Sequence, residues 1–202
     1  KLSLLTSFPI TILMALVFTM LGCGRGPSRV AAPEYDAEAL ALKAFETGDA
    51  DGDGFLAGAE LTAMPGVKSA DGIDVDKDGK VSKDELQQRI QSYSDSKVGI
   101  MPLYLTFHRK GRPLVGAKVR LVPEAFMSDV VQTAEGVTDE YGSADLTIPN
   151  HEPAGVRLGF YRMEVTSDTD TIGAKYNTAT KLGFEATTIT SSGYVVTEYE
   201  IK

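Results

Sequence analysis

Two stretches of the chain set out oxygen donors in the same order. Asp49, Asp51 and Asp53 lead to Gly54, Phe55 and finally Glu60; Asp74, Asp76 and Asp78 lead to Gly79, Lys80 and finally Glu85. Counted from the first aspartate, carboxylates fall at positions 1, 3, 5 and 12 and glycine at position 6 of each stretch. A hard cation such as Ca²⁺ takes roughly six to eight oxygens. Three short aspartates can close one side of it, the carbonyl of Phe55 or Lys80 at position 7 adds an oxygen, and Glu60 or Glu85 closes the shell with both of its own. Gly54 and Gly79 permit the sharp turn that points these groups inward. Position 9 is Ala57 in the first stretch, which leaves that place to water, and Ser82 in the second. Without a cation, four carboxylates converging on one point would repel one another. Two metal-free, Asp-rich surface turns are therefore the poorer account of a pattern that occurs twice.

This order of donors resembles the EF hand, position by position and in both stretches. The resemblance implies two bound Ca²⁺ ions, a helix on either side of each loop, and a short β contact joining the loops through Leu56 and Val81 at position 8. The flanking residues allow it. Leu40, Leu42, Ala44 and Phe45 crowd into a run over Tyr35 to Phe45 that reads as a helix entering the first loop. Glu60 to Met64 would be the exit helix, stopped by Pro65-Gly66. Val67 to Ile73 is short and contains Gly72, so the second entering helix is weakly specified. Leu86, Ile90 and Tyr93 recur at helical spacing and specify the last one. The loops start only 25 residues apart, which predicts a compact pair with one degenerate helix. Calcium sensors of this type open a Met-rich groove, whereas this region holds only Met64, with Met101 beyond it. A structural role for the ions is favoured over a switch.

Charge agrees with a local cation site. The net charge is −8, and residues 34–97 carry 15 acidic against 7 basic residues, which accounts for the whole excess. No basic stripe stands out, so nucleic-acid binding is not expected. A hydrophobic share of 43% with 24% charged residues is that of a folded protein.

Lys1 precedes an uncharged stretch reaching Gly22, whose densest apolar part, Ile10 to Leu21, has the length of a signal-peptide core and is short for a membrane span. Met20-Leu21-Gly22-Cys23-Gly24 follows, and it resembles a bacterial lipobox, in which the cysteine is lipidated and becomes the mature N-terminus. Cys23 is the single cysteine, so an internal disulfide is excluded. The resemblance implies a signal peptide over residues 1–22, a lipidated N-terminus and tether over 23–34, and an exported protein held on a bacterial membrane. An uncleaved anchor helix and plain secretion are the alternatives.

After the helical region, assigned to residues 35–97, the texture changes to short β-branched and aromatic runs separated by Gly, Pro, Asp and Asn. Strands are predicted at Leu103–Arg109, Ala117–Val122, Gln132–Thr138, Ser143–Ile148, Phe160–Thr166 and Tyr194–Ile201. Alternation such as Val119 and Leu121 against Arg120 and Val122 predicts antiparallel strands with one buried face. The fold class is thus α+β and multidomain, a small helical pair followed by an antiparallel β-sandwich. Gly111 to Val119, Thr138 to Ala144 and Gly159 to Val165 together resemble the carboxypeptidase regulatory-like, transthyretin-like (Ig-like) domain, over residues 98–202. With the lipobox and the paired loops, the whole resembles a class of bacterial envelope lipoproteins whose β domain serves as a structural or interaction module. An envelope protein or polysaccharide is the kind of partner this implies.

Catalysis finds few groups to use. Only His108 and His151 could act as bases near neutral pH; His108 ends a predicted strand beside Arg109, and His151 sits in the loop Pro149 to Pro153. Both read as surface residues, and Tyr161, Tyr176, Tyr194 and Tyr199 read as sandwich core or rim. The expectation is a calcium-binding, non-enzymatic envelope lipoprotein. The closely spaced loops also resemble dockerins, which bind a protein partner through helix faces, and that docking reading is the alternative.

Overall fold

The computed structural model describes residues 30–188 and 198–202. Cys23, the signal-like stretch, Tyr194 and the first half of the last predicted strand lie outside the described residues. No helix among the described residues is long and apolar enough to cross a membrane.

The first helix, α1 (Ala37–Gly48), starts where the Asp36 carboxylate accepts the Ala39 N–H at 3.0 Å. That contact satisfies one of the amides a helix leaves open at its start. Ala37, Leu40, Ala41 and Ala44 form the buried face, and their small side chains let α1 lie close against α4 (Lys83–Ser96). Between them run β1 (Phe55–Leu56), α2 (Gly58–Ala63), α3 (Pro65–Lys68) and β2 (Val81–Ser82). Pro65 both ends α2 and opens α3, because its fixed φ suits the first helical position while its ring obstructs a helix arriving from behind. The second entering helix is reduced to this one turn. The antiparallel bridge β1–β2 sets Leu56 opposite Val81, which is the contact implied at position 8.

The remainder is two sheets. In one, β6 (Ala134–Val137), β5 (Lys118–Pro123), β8 (Gly159–Thr166) and β9 (Gly183–Ala186) are neighbours in that order, all antiparallel. In the other, β3 (Tyr104–Arg109) pairs antiparallel with β4 (Arg112–Pro113) and β7 (Ser143–Asp145), and parallel with β10 (Glu198–Ile201). The α+β class holds, with one parallel pairing that alternation could not reveal. Leu105, Phe107, Val119, Leu121, Met163 and Val165 are fully buried, as the period of two requires of an inner face. Strands β4 and β9 carry too short a pattern to be predicted. The burial of β9 is continuous over Phe184, Glu185 and Ala186, so it shows no alternation at all.

One core runs across the change from helix to sheet. Phe160 of β8 meets Tyr93 of α4 edge-on, with ring centroids 5.7 Å apart, and Tyr93 meets Tyr35 in the same way. The Tyr35 hydroxyl donates to the Leu158 carbonyl at 2.8 Å. Glu124, just beyond β5, accepts the Gly66 N–H of α3 at 2.8 Å from a buried position. Thus β8 buries Tyr161, Met163 and Val165 on one face, and on the other its start packs against the helices at Phe160 while Arg162 and Thr166 stay exposed. That seating fixes the two loops relative to the sheets.

Candidate metal centre

Each loop is organised by its own carboxylates. In the first, Asp49 Oδ1 accepts from Gly52 N at 2.8 Å and Asp49 Oδ2 from Gly54 N at 3.0 Å, while Asp53 Oδ1 accepts from Phe55 N at 2.9 Å. In the second, Asp74 Oδ2 accepts from Gly79 N at 2.9 Å and Asp78 Oδ1 from Lys80 N at 2.8 Å. Gly54 and Gly79 have φ of +84° and +86°, values that favour glycine. These bonds wrap the backbone around the side chains, so the aspartates of each loop converge. One carboxylate oxygen from each of Asp49, Asp51 and Asp53 lies within 4.8 Å of the others, and the same holds for Asp74, Asp76 and Asp78.

The position-12 glutamates are placed alike. Glu60 accepts from Ala50 N at 2.8 Å through Oε1 and from Ala57 N at 3.0 Å through Oε2. Glu85 accepts from Val75 N at 2.7 Å and from Ser82 N at 2.8 Å. In both loops one carboxylate therefore staples position 2 to position 9. Glu85 has a second duty, since Ser82 and Glu85 form the capping box of α4. The Ser82 hydroxyl at position 9 is engaged with Glu85 Oε2 at 2.8 Å.

The loop carboxylates are displaced in both directions by their neighbours. The Asp78 amide pulls the Asp76 carboxyl down, yet lost hydration and the facing carboxylates of Asp78 and Glu85 outweigh it, and the net displacement is upward. Glu85 is burdened by burial, but the Ser82 amide and hydroxyl and the Val75 amide together hold its carboxyl below the usual range. Asp53 is also held low, first by a hydrogen bond from Lys80 and then by the Phe55 amide. The donors are carboxylate and carbonyl oxygens, so the set suits a hard ion of the Ca²⁺ class and offers nothing to a soft one.

All ten predicted ligand positions thus fall in two loops of matching conformation, with the Phe55 and Lys80 carbonyls at position 7. The side chain of Lys80 was not foreseen: its Nζ lies 3.1 Å from Asp53 Oδ2 of the other loop. A lysine in an exposed loop carries no sequence signal for such a reach. Also unforeseen is the buried group of Arg89, Tyr93 and Glu185, because Gly183 to Ala186 shows no strand pattern. His108 is half-buried on β3, opposite Pro113 and Glu200. His151 Nδ1 stands 3.3 Å from the Pro153 carbonyl and Nε2 3.5 Å from Arg157 Nη2. Tyr161 and Tyr176 are buried, and Tyr199 stacks on Phe107 at 5.5 Å between centroids.

The family model described as EF hand matches residues 73–90, from just before the second loop into α4. No curated protein and no solved structure matches the chain.

Proposed function

We propose that the protein binds two Ca²⁺ ions, one in each loop, and that the ions clamp the helical half onto the sheets. Asp49, Asp51, Asp53, the Phe55 carbonyl and Glu60 would hold the first; Asp74, Asp76, Asp78, the Lys80 carbonyl and Glu85 would hold the second. The observation that carries this reading is the repeated staple: in two loops of unlike sequence, the last glutamate joins position 2 to position 9 while three aspartates converge. The family match over residues 73–90 supports the second loop directly.

A clamp is favoured over a sensor by what the helices touch. α1, α3 and α4 spend their apolar faces on each other and on β8 and β9. Opening a groove would expose Tyr93 and Phe160, which are fully buried. The same seating weighs against the docking alternative, which needs helix faces free for a partner.

The wider reading is a non-enzymatic envelope lipoprotein. Residues 1–22 would direct export, Cys23 would carry the lipid, residues 23–34 would be the tether, residues 35–97 the calcium-binding part, and residues 98–202 a carboxypeptidase regulatory-like module presented to an envelope protein or polysaccharide. Modules of this extracellular kind bind Ca²⁺ at roughly 10⁻⁴ to 10⁻³ M. Thermal melts in chelator, Mg²⁺ and Ca²⁺ test the clamp. At a Ca²⁺ concentration about 100 times Kd, each site adds about 2.7 kcal/mol of stability, which should raise Tm well above the chelator value while Mg²⁺ does less. A melting curve indifferent to Ca²⁺ in the millimolar range would overturn it.

A further inference from the structure

Lys80 belongs to the second loop by its backbone and to the first by its side chain. The β1–β2 bridge sets Phe55 opposite Ser82 and Leu56 opposite Val81, which pairs position 7 of the first loop with position 9 of the second and leaves Lys80 just beyond the bridge. From there the Lys80 stem crosses the Phe55 ring, with Nζ 4.7 Å from its centroid, and ends 3.1 Å from Asp53 Oδ2. Both side chains are about 40% exposed. The arrangement is one-sided. The residue matching Lys80 in the first loop is Phe55, so no ammonium is extended in the opposite direction.

We propose that Lys80 is a tethered counter-cation that weakens Ca²⁺ binding by the first loop and so makes the two sites unequal. This rests on the reading of both loops as calcium sites. In the metal-free loop, Asp49, Asp51, Asp53 and Glu60 repel one another, and the ammonium offsets part of that repulsion. An arriving Ca²⁺ ion either displaces the ammonium from Asp53 or shares the carboxylate with it, which sets two cations a few ångströms apart. In both cases Lys80 stabilises the metal-free state more than the bound one, and a group that does so lowers affinity by the difference. For an exposed pair with both effects screened by water, that difference corresponds to about a threefold to twentyfold change in Kd. Because the Lys80 carbonyl is itself a ligand position of the second loop, the ammonium is anchored at the point where the two sites meet.

The test compares Lys80→Met, Lys80→Arg and Lys43→Met by calorimetric Ca²⁺ titration. It is run both in the otherwise unchanged protein and with Glu85→Gln, which confines binding to the first loop. Lys80→Met keeps an apolar stem against Phe55 and removes the charge; Lys80→Arg keeps the charge; Lys43→Met removes an equal charge from α1, where its partner is Asp129. The first-loop Kd should fall about threefold to twentyfold in Lys80→Met, and by much less at high salt. Lys80→Arg should fall short of that gain, and Lys43→Met should stay within about twofold of the parent. If Glu85→Gln does not fold, the product of the two binding constants in the otherwise unchanged protein should rise by the same factor. Unchanged or weaker binding in Lys80→Met overturns the proposal and leaves the calcium reading standing. An absence of Ca²⁺ binding in the unchanged protein overturns both.

Discussion

The hydroxyl of Tyr93 donates to the carboxylate of Glu185 across 2.6 Å, joining the last helix of the calcium-loop half to an edge strand of the sheet. Arg89, one turn earlier on α4, brings Nε to 3.4 Å from the same Glu185 oxygen and donates through Nη2 to the Asp71 carbonyl, three residues before the second loop. Arg89 and Glu185 are both nearly inaccessible, at 9% and 6% exposure. A buried ion pair gives back in attraction little more than it loses in hydration, but losing one partner is costly. Its position gives it another consequence: the backbone that leads into the second loop, the helix that leaves it and the strand beneath are tied at one point.

Burial raises the Glu185 carboxyl from 4.5 to about 7, against the downward pull of Arg89 and Tyr93. Between those values the folded protein holds a proton that the unfolded chain has released. The stability contributed by this group is therefore full below about pH 4.5 and lost as pH rises through about 7. Glu185→Gln keeps the shape and removes the titration. Relative to that variant, the unchanged protein should lose up to about 3 kcal/mol between about pH 5 and about pH 8, read by urea unfolding in chelator. A difference that does not vary with pH would show that Glu185 stays ionised when buried.

Gly183 and Pro65 mark where α3 rests on β9 with no side chain between. A Cβ built on Gly183 would lie 1.6 Å from the Pro65 carbonyl oxygen, so the two backbones would have to part. Gly183→Ala should destabilise the protein by about 1–3 kcal/mol, as overpacking does elsewhere. Chemical denaturation would measure it. A variant as stable as the parent would mean that helix and strand do not press together.

Glu124 holds the same junction from the other side. Burial pushes its carboxyl upward, against the Gly66 amide and Arg162, and Glu124→Ala would leave the Gly66 N–H without its acceptor. A loss of about 1–3 kcal/mol is expected for the alanine variant, and less for Glu124→Gln, which keeps a carbonyl oxygen in place. Equal losses in the two variants would show that the hydrogen bond is not what matters there.

Local chemistry carried most of what the sequence disclosed. The loop donors, Gly54 and Gly79 could be read because each position has a strict requirement of its own, and α4 because Leu86, Ile90 and Tyr93 recur at helical spacing. Strands β3, β5 and β8 were readable from alternation, with ends displaced by a residue or so. What stayed hidden depends on distant partners. Strand β9 is buried continuously because α3 covers it, Pro65 opens a one-turn helix beside the sheet, and β10 pairs parallel with β3, a strand far earlier in the chain. The Lys80 side chain and Glu185 gave no local signal, since their partners lie 27 and 92 positions away.

Direct calorimetric titration with Ca²⁺ reaches the central claim by the shortest route. The unchanged protein should bind two ions, Glu60→Gln and Glu85→Gln one each, and the double variant none within the millimolar range. Two ions bound by the double variant, or no binding heat in the unchanged protein, would contradict it.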